Sequence, residues 1–221
     1  MKRYMEGTVI PNDYEDVFAY MGWPYISPNS VREALNDAQE ANEPIEFVIS
    51  SGGGSVIAGS DIYTTLREYP GEVTLRIVYA ASAASVIAMA RHSIAEPTAM
   101  IMIHNSSTSA EGDYREMDRV SEMLRTVNEA MSTAYTLKTG MSTDEILDLM
   151  DKETWLTADR ALQLGFVDEI DKGERKGLAA SVNGLPSDAE VKRIRKIMAK
   201  AQAMERLAAL EAELKEDTTN D

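Results

Sequence analysis

The sequence predicts an α/β fold with a mainly parallel sheet, plus an amphipathic helix near the C-terminus. "IEFVIS" (45–50) is typical of a buried strand, and "SGGGS" then leads into a helical pattern from near Val56. The arrangement recurs at "VTLRIVY" (73–79), which leads through a turn of small residues into a helix from Ser85, and "AMIMIH" (99–104) is a further strand. Strands that alternate with helices are typical of a parallel sheet covered by helices.

Further helices are predicted from their first residues and their apolar spacing. Ser27 followed by Pro28 is typical of a helix start. A long helix is predicted from about Asp113, because apolar residues recur there every three or four positions. We call this apolar stripe the seam; it consists of Met117, Val120, Leu124, Val127, Met131 and Ala134. Such a stripe needs a partner, and another subunit is one candidate.

The second half of the chain carries two capping-box patterns, "STDE" at 142–145 and "SDAE" at 187–190, and each predicts a helix start. Gly165 ends the short helix of "TADRALQLG", and "FVDEI" is expected to follow as a strand.

Composition divides the chain into a domain and an extension. We predict one domain over residues 1–170, a Gly-rich polar linker over 171–186, and a helical extension with a polar tail over 187–221. Residues 171–221 hold ten Lys or Arg and ten Asp or Glu, so the net charge of −15 lies in the domain. A domain so acidic should repel nucleic acid, and we expect no nucleic-acid partner.

The sequence also excludes several classes of protein and of site. No apolar run reaches the roughly 18 residues of a membrane span, and the N-terminus lacks the apolar core of a signal peptide. We therefore expect a cytoplasmic protein without a membrane partner. The absence of cysteine excludes disulfides, thiol nucleophiles and thiolate metal sites. We predict neither a metal nor a cofactor.

Two histidines are candidates for acid–base chemistry. His104 closes an apolar strand, where a sheet ends and presents functional side chains, although a hydrogen-bonded structural histidine is the alternative. His92 stands beside Arg91 at an expected helix end, where a capping role through the helix dipole is favoured.

Ser85 is a candidate nucleophile in "AASAASVIAMA" (80–90). Its small neighbours permit close approach of a substrate, and the amides at a helix N-terminus stabilise an anion. Serine needs a base within hydrogen-bond reach, and the base needs an acid that orients it. The alternative is that Ser85 is a packing residue, and Ser82 is an equally small neighbour.

The stretch "SSGGGSV" (50–56) lets the backbone approach a ligand and offers free N–H groups. No Gly-Lys-Ser/Thr follows, so it is not a Walker A loop, and phosphate binding is disfavoured. A flexible turn is the alternative.

Together these segments resemble the Clp-type serine peptidases, and within them the ClpP-like prohead (head maturation) proteases of tailed bacteriophages. "FVISSGGGSVIAGSDIYTTL" resembles the family's strand, Ser-Pro-Gly-Gly turn and helix, and "AASAASVIAMA" resembles its Gly-x-Ala-Ala-Ser-Met motif. "MIMIHNS" resembles Met-Ile-His-Gln-Pro, and "DKETWLTADRALQLGFVDEI" the later acid-containing motif. The resemblance covers about residues 45–170 in the same order. Gly52, Ala81 and Asn105-Ser106 depart from the family pattern.

The resemblance implies a catalytic triad: Ser85 as nucleophile, His104 as general base and Glu153 as the orienting acid. Glu153 stands where the family usually has Asp, and the nearby Asp151 competes for the role. Asp168 matches a further family acid, which we interpret as structural.

The resemblance also implies an oxyanion hole made by the backbone N–H groups of Gly54 and Val86. Loss of one such donor typically costs about 10²–10³ in rate.

The fold implied is the ββα spiral shared by ClpP and the crotonases. The function implied is a serine endopeptidase that processes scaffold or capsid polypeptides during phage head maturation, including its own C-terminal segment. We expect a homo-oligomer, with heptameric rings as the family's example, in the host cytoplasm or the assembling prohead. An ATPase partner is left open, because the sequence has no nucleotide site.

Three alternatives stay open at this point. A crotonase-like thioester enzyme would use the paired amides without a serine nucleophile. A relative of the signal-peptide peptidases would use a Ser/Lys dyad. A capsid-assembly component that retains the motifs without catalysis would lose nothing on Ser85→Ala.

Overall fold

A computed structural model describes residues 1–171, 173 and 196. Its strands are β1 Lys2–Glu6, β2 Thr8–Val9, β3 Tyr25–Ile26, β4 Ile45–Ser51, β5 Val73–Ala81, β6 His92–Ile103, β7 Thr154–Thr157 and β8 Glu169–Ile170. After a 3₁₀ turn at Asn12–Tyr14, its helices are α1 Glu15–Met21, α2 Pro28–Ala41, α3 Val56–Glu68, α4 Ala83–Ala88, α5 Tyr114–Thr139, α6 Thr143–Asp151 and α7 Ala158–Gln163.

The described residues divide between two compact units. The larger unit holds Met1–Asp16 and the chain from Pro24 to Gly173, whereas Val17–Trp23 belong to the second. Within that second segment, the Phe18 ring packs edge-on against Trp23, with 5.5 Å between the ring centroids.

The main sheet has the strand order β1-β4-β5-β6-β7, and β8 pairs with the other half of β6. The pairs β1–β4, β4–β5, β5–β6 and β6–β8 are parallel, and only β6–β7 is antiparallel in this sheet. Helix α3 connects β4 to β5, and α4 connects β5 to β6. The predicted α/β fold with a mainly parallel sheet is confirmed.

Local sequence sets where the helices begin. The Ser27 side chain accepts a hydrogen bond from the Ser30 amide at 3.0 Å and forms a capping box at the start of α2, as predicted. Ser142 and Glu145 form the predicted box at α6. Asp113 caps α5 by accepting from two amides of its first turn. These caps satisfy amides that have no partner inside their own helix.

The core lies between the central strands and the helices. Ile49 of β4, Ile77 of β5 and Ile101 of β6 are almost fully buried, and so are Ile62 of α3 and Ile87 of α4. Burying an apolar side chain of this size contributes about 1.5–3 kcal/mol, so this layer supplies much of the stability. It also fixes the ends of β5 and β6, where the candidate site lies.

Two local predictions are wrong. Helix α4 begins at Ala83 rather than Ser85, because Ser82 occupies the N-cap. His92 does not cap a helix: it begins β6, and its ring nitrogens lie 3.5 Å from Asp168 and 3.3 Å from Glu169. The loop after α4 is thus shorter, and β6 longer, than the sequence pattern indicated.

The seam on α5 is covered along only part of its length. Met131 and Ala134 are buried, Val120, Leu124 and Val127 are half-buried, and Met117 is 38% exposed. No helix in the described part of the chain is long and apolar enough to span a membrane. The predicted linker 171–186, the capping box at 187–190 and the helix within 187–221 lie outside the described residues, apart from single positions. The domain division therefore stays a prediction.

Candidate active site

The site lies where two parallel strands end side by side. Strand β5 ends at Ala81, which pairs with Met102 near the end of β6. The residues that follow, Ser82 and His104, therefore lie at the same edge of the sheet, where α/β proteins place their functional groups. The His104 Nε2 atom lies 2.9 Å from the Ser82 hydroxyl oxygen, within hydrogen-bond distance.

Ser82 occupies a sharp turn between strand and helix. Its φ of 56° and ψ of −128° are unusual for a residue with a side chain. Its amide donates to the Met102 carbonyl at 2.9 Å, and its side chain does not cap α4, which leaves the hydroxyl for His104. A strained serine on a strand-to-helix turn is the arrangement that exposes a nucleophile above a sheet.

Ser85 lies on the other side of this turn, in the core, with no exposed surface. Its hydroxyl oxygen is 2.6 Å from the Ser82 carbonyl oxygen and 2.7 Å from the Tyr135 hydroxyl. The structure therefore does not bring Ser85 and His104 together. Ser82 starts the helix and faces the imidazole, whereas Ser85, one turn later, faces the interior. The geometry departs from the expectation that His104 activates Ser85.

The predicted acid, Glu153, directly precedes β7, the strand that pairs with the end of β6. Strands β6 and β7 pair Met100 with Thr157 and, at the other end, Ile103 with Thr154. Glu153 and His104 are the next residues beyond the last pair, at the same end of these two strands.

Glu153 has a left-handed φ of 48°, which is unusual for a side-chain-bearing residue, and its side chain is exposed. Among the described residues, no carboxylate is hydrogen-bonded to the His104 ring. The competing acid, Asp151, accepts a hydrogen bond from the Asn105 side chain at 2.6 Å, so its carboxylate is held there.

Of the two predicted oxyanion donors, Gly54 has a free amide. It forms no hydrogen bond among the described residues, although its neighbours do: Gly53 N–H donates to Ser51 Oγ, and Ser55 N–H donates to the Val9 carbonyl. Val86 is the fourth residue of α4, and the N-cap carbonyl of Ser82 accepts from the Ser85 amide, at 2.9 Å. The free helix-start amide beside Ser82 is that of Ala83.

The glycine turn packs directly on the Ser82 turn. A Cβ atom on Gly53 would lie 2.6 Å from the Ala81 carbonyl oxygen, 2.7 Å from Ser82 Cβ and 2.9 Å from the Ala83 nitrogen. Gly53 also has a φ of +89°, a conformation that favours glycine. The glycines of the "SGGGS" turn thus allow two backbone segments to meet at the site.

Asp168 anchors the chain beyond the site. It accepts from the Ser93 amide at 2.7 Å, and Lys138 donates to the same oxygen. Burial alone would raise the pKa of Asp168, but the hydrogen bonds from Lys138 and Ser93 outweigh it and hold the pKa below its usual value. These contacts agree with the structural interpretation of Asp168.

Sequence reasoning did not single out the contact between Ser82 and His104, or the free amide of Ala83. The available indication was position: in "AASAAS", the first serine follows the strand directly, and serine is a favoured N-cap residue. Within the described part of the chain, no group of three His, Asp or Glu side chains is arranged to hold a metal ion.

Comparison with known proteins identifies the family to which the sequence belongs. The profile of the family described as Clp protease matches residues 31–174. ATP-dependent Clp protease proteolytic subunit 1 of Streptomyces avermitilis is 33% identical over 140 residues, which are 62% of this chain and 64% of that protein. The chain thus spans a little under two thirds of the length of this curated relative. Since the family profile covers well over half of the sequence, the chain belongs to the Clp protease family.

Proposed function

We propose that this protein is a serine peptidase in which Ser82 is the nucleophile and His104 the general base. The observation that carries the proposal is the 2.9 Å separation of His104 Nε2 from Ser82 Oγ at a strained turn. Membership of the Clp protease family supports the peptidase class, and the contact with His104 supports Ser82 over Ser85, which matches the serine of the family motif. Ser85 is then a structural residue.

The chemistry follows from these positions. Ser82 Oγ attacks the carbonyl carbon of a peptide bond while its proton moves to His104 Nε2. The tetrahedral intermediate collapses as the carbon–nitrogen bond breaks, and His104 returns the proton to the leaving amine. Water then hydrolyses the acyl ester on Ser82, with His104 again as the base.

Glu153 completes the triad in this proposal. The neutral imidazole must carry its proton on Nδ1 to accept from Ser82 through Nε2, and a carboxylate near Nδ1 holds that tautomer. The register of β6 and β7 supports Glu153, and the engagement of Asp151 by Asn105 argues against the competitor. We infer that the Glu153 side chain closes onto His104 in the active arrangement.

The oxyanion hole in this proposal consists of the Gly54 and Ala83 amides. Ala83 replaces the predicted Val86, because the donor next to the nucleophile is the amide of the residue that follows it. Both amides lack a protein partner among the described residues, as a site for a developing negative charge requires.

The proposed substrate is polypeptide, and more narrowly a scaffold or capsid protein cleaved during phage head maturation. The narrower substrate rests on the resemblance of the sequence to the ClpP-like prohead proteases of tailed bacteriophages. Incubation with candidate capsid and scaffold chains, followed by mass spectrometry of the products, tests it. Cleavage of casein at the same rate would argue against the narrow substrate.

We also propose a homo-oligomer, with a ring of seven subunits as the arrangement to test. The first half of the seam supports an additional contact, because Met117 is 38% exposed whereas Met131 and Ala134 of the same seam are buried. Light scattering on the wild type and on Met117→Glu tests it. A monomeric wild type would contradict the proposal.

The experiment that tests the peptidase itself is reaction with a fluorophosphonate, a probe that labels activated serines. Wild type should be labelled at Ser82, and His104→Ala should not be labelled. A crotonase-like enzyme or an inactive assembly component would show no labelling in either protein.

A further inference from the structure

The glycine turn of the proposed site is bound by a second segment of the chain, and this inference rests on the proposed function. Strand β2 contacts the turn at Val9, which forms an isolated parallel bridge with Gly54. The Val9 amide donates to the Gly53 carbonyl at 2.9 Å, and the Ser55 amide donates to the Val9 carbonyl at 2.8 Å. Strand β2 therefore binds the backbone immediately before and immediately after Gly54.

The first of these hydrogen bonds fixes the direction of the Gly54 amide. The Gly53 carbonyl and the Gly54 N–H belong to one peptide group, which is planar and trans, so the two bonds point in opposite directions. Because the Val9 amide binds the Gly53 oxygen, the Gly54 N–H points away from β2. The proposed mechanism uses this N–H as an oxyanion donor, so the direction of the donor depends on where β2 lies.

Ser51 joins the same two segments through its side chain. It is the last residue of β4 and is 2% exposed. Its hydroxyl oxygen lies 2.6 Å from the carbonyl oxygen of Gly7, which directly precedes β2, and 3.1 Å from the Gly53 nitrogen. A carbonyl only accepts and an amide only donates, so the Ser51 hydroxyl donates its one proton to Gly7 and accepts from Gly53. One buried hydroxyl thus links the start of β2 to the glycine turn.

The two segments are in direct backbone contact. A Cβ atom on Gly54 would lie 2.2 Å from the Val9 carbonyl oxygen and 2.9 Å from Thr8 Cγ2. A displacement of β2 is therefore passed to Gly54 without a side chain of Gly54 that could absorb it. Loss of the Ser51 hydroxyl would leave a buried carbonyl and a buried amide without this partner, which is unfavourable and favours such a displacement.

We propose that Ser51 is a positioning residue for the oxyanion hole. Its hydroxyl holds β2 against the glycine turn, and Val9 of β2 in turn holds the Gly54 amide in the direction that a developing negative charge requires. Ser51 touches no reacting atom. The serine that precedes the three glycines of "SSGGGS" therefore belongs to the site and is more than the end of a buried strand.

The test compares Ser51→Ala and Ser51→Cys with wild type in the full chain. Alanine removes both hydrogen bonds, whereas cysteine keeps a side chain of similar shape that is a weak donor and a weak acceptor. The chain has no cysteine of its own, so the introduced thiol has no disulfide partner within the chain.

The matched control is Ser132→Ala. Ser132 is 1% exposed, and its hydroxyl also donates to a backbone carbonyl, that of Glu129, at 2.7 Å. The control therefore removes an equally buried hydroxyl and its hydrogen bond at a position that does not contact the glycine turn.

The measurements are kcat and KM for a fluorogenic peptide, the inhibition constant Ki of an aldehyde with the same peptide sequence, and unfolding by urea. The nucleophilic serine adds to the aldehyde carbon, and the former carbonyl oxygen then occupies the oxyanion hole. Its Ki therefore reports on the donors there, whereas KM reports on binding of the ground state.

Ser51→Ala should lower kcat about 10- to 100-fold and raise Ki by a similar factor, because misplacing one donor costs less than the roughly 10²–10³ of losing it. KM should change less than about threefold, since the interaction strengthens only in the transition state. Ser51→Cys should lie between Ser51→Ala and wild type. Ser132→Ala should keep the wild-type kcat and Ki even if it is less stable.

The inference fails in three cases. If Ser51→Ala, or Ser51→Cys where the alanine variant does not fold, keeps the wild-type kcat and Ki, Ser51 stabilises the fold without positioning the Gly54 amide, and the proposed function stands. If KM rises while kcat is unchanged, Ser51 acts on substrate binding and not on the oxyanion hole. If the wild type neither hydrolyses the peptide nor reacts with a fluorophosphonate, the proposed function fails and the inference fails with it.

Discussion

The His104 imidazole lies 2.9 Å from the Ser82 hydroxyl, whereas the hydroxyl of Ser85, three residues further on, points into the core towards Tyr135. One short motif thus contains two serines with different surroundings. The first is half-buried at the end of a strand, and the second is sealed from solvent. Of the two hydroxyls, that of Ser82 lies within hydrogen-bond distance of the His104 ring.

We expect different effects when Glu153 and Asp151 are each changed to the corresponding amide. Glu153→Gln should lower kcat for peptide hydrolysis by about 10²–10⁴, because the amide favours the wrong imidazole tautomer. Asp151→Asn should lower it less than about threefold, since that carboxylate bonds to Asn105. Steady-state kinetics on both variants measure this. A larger loss in Asp151→Asn would assign the acid to Asp151.

Gly53→Ala should abolish labelling of Ser82 and destabilise the protein. The new Cβ would meet three backbone or Cβ atoms of the Ser82 turn at 2.6–2.9 Å. Gly140→Ala is the matched control, because Gly140 also has a left-handed φ, of +75°, but its Cβ would have open space around it. The control should lose only about 1 kcal/mol and keep its labelling rate. If Gly53→Ala and Gly140→Ala lose the same stability and the same labelling rate, the close approach of Gly53 to the Ser82 turn is unimportant.

The low pKa of Asp168 predicts a specific pH dependence of stability. The folded pKa lies below the ordinary value of about 3.9, so the unfolded chain takes up this proton first as the pH falls. The stability that Asp168 contributes is therefore fully present above roughly pH 5 and is lost as the pH falls through the folded pKa. Urea unfolding of wild type and Asp168→Asn from pH 3 to pH 7 measures this. The difference between their free energies of unfolding should be constant near pH 7 and should shrink in acid. A difference that does not change with pH would refute the prediction.

Arg76 on β5 joins three carboxylates from other parts of the sheet. It pairs with Glu46 at 3.1 Å, Glu96 at 2.9 Å and Asp171 at 2.6 Å, and its side chain is 19% exposed. Arg76→Met should lower the free energy of unfolding by about 1–3 kcal/mol, because three acids lose their shared cation.

The control for Arg76 is Arg3→Met, which breaks a well-exposed pair with Asp37. That change should cost less than about 1 kcal/mol in urea unfolding. An Arg76→Met protein as stable as wild type would contradict a stabilising role for this network.

The sequence was sufficient for the elements that carry strong periodicity or a cap. The strands β4 and β5, the helices α2 and α5 and the capping box at Ser142 follow from apolar spacing and from side chains that bond to nearby amides. The edge strand β1 has mostly exposed residues and was not predicted, because its partner β4 lies about 40 residues further along the chain.

The candidate site was predictable only in part, because it depends on the exact residue at which α4 begins. Sequence order indicated that His104 and the serine motif end neighbouring strands. Which serine faces the imidazole depends on where α4 begins. Because α4 begins at Ala83 rather than at Ser85, Ser82 is the N-cap residue and Ser85 lies inside the helix. Alanine-rich segments leave that boundary undefined, since several successive residues are strong helix formers and none of them marks the first turn.

The central claim is that Ser82, and not Ser85, is the activated serine. The most direct measurement is fluorophosphonate labelling of wild type, Ser82→Ala and Ser85→Ala, with the modified peptide located by mass spectrometry. We predict an adduct on Ser82 in wild type and in Ser85→Ala, and none in Ser82→Ala. An adduct on Ser85, or undiminished labelling of Ser82→Ala, would contradict the account.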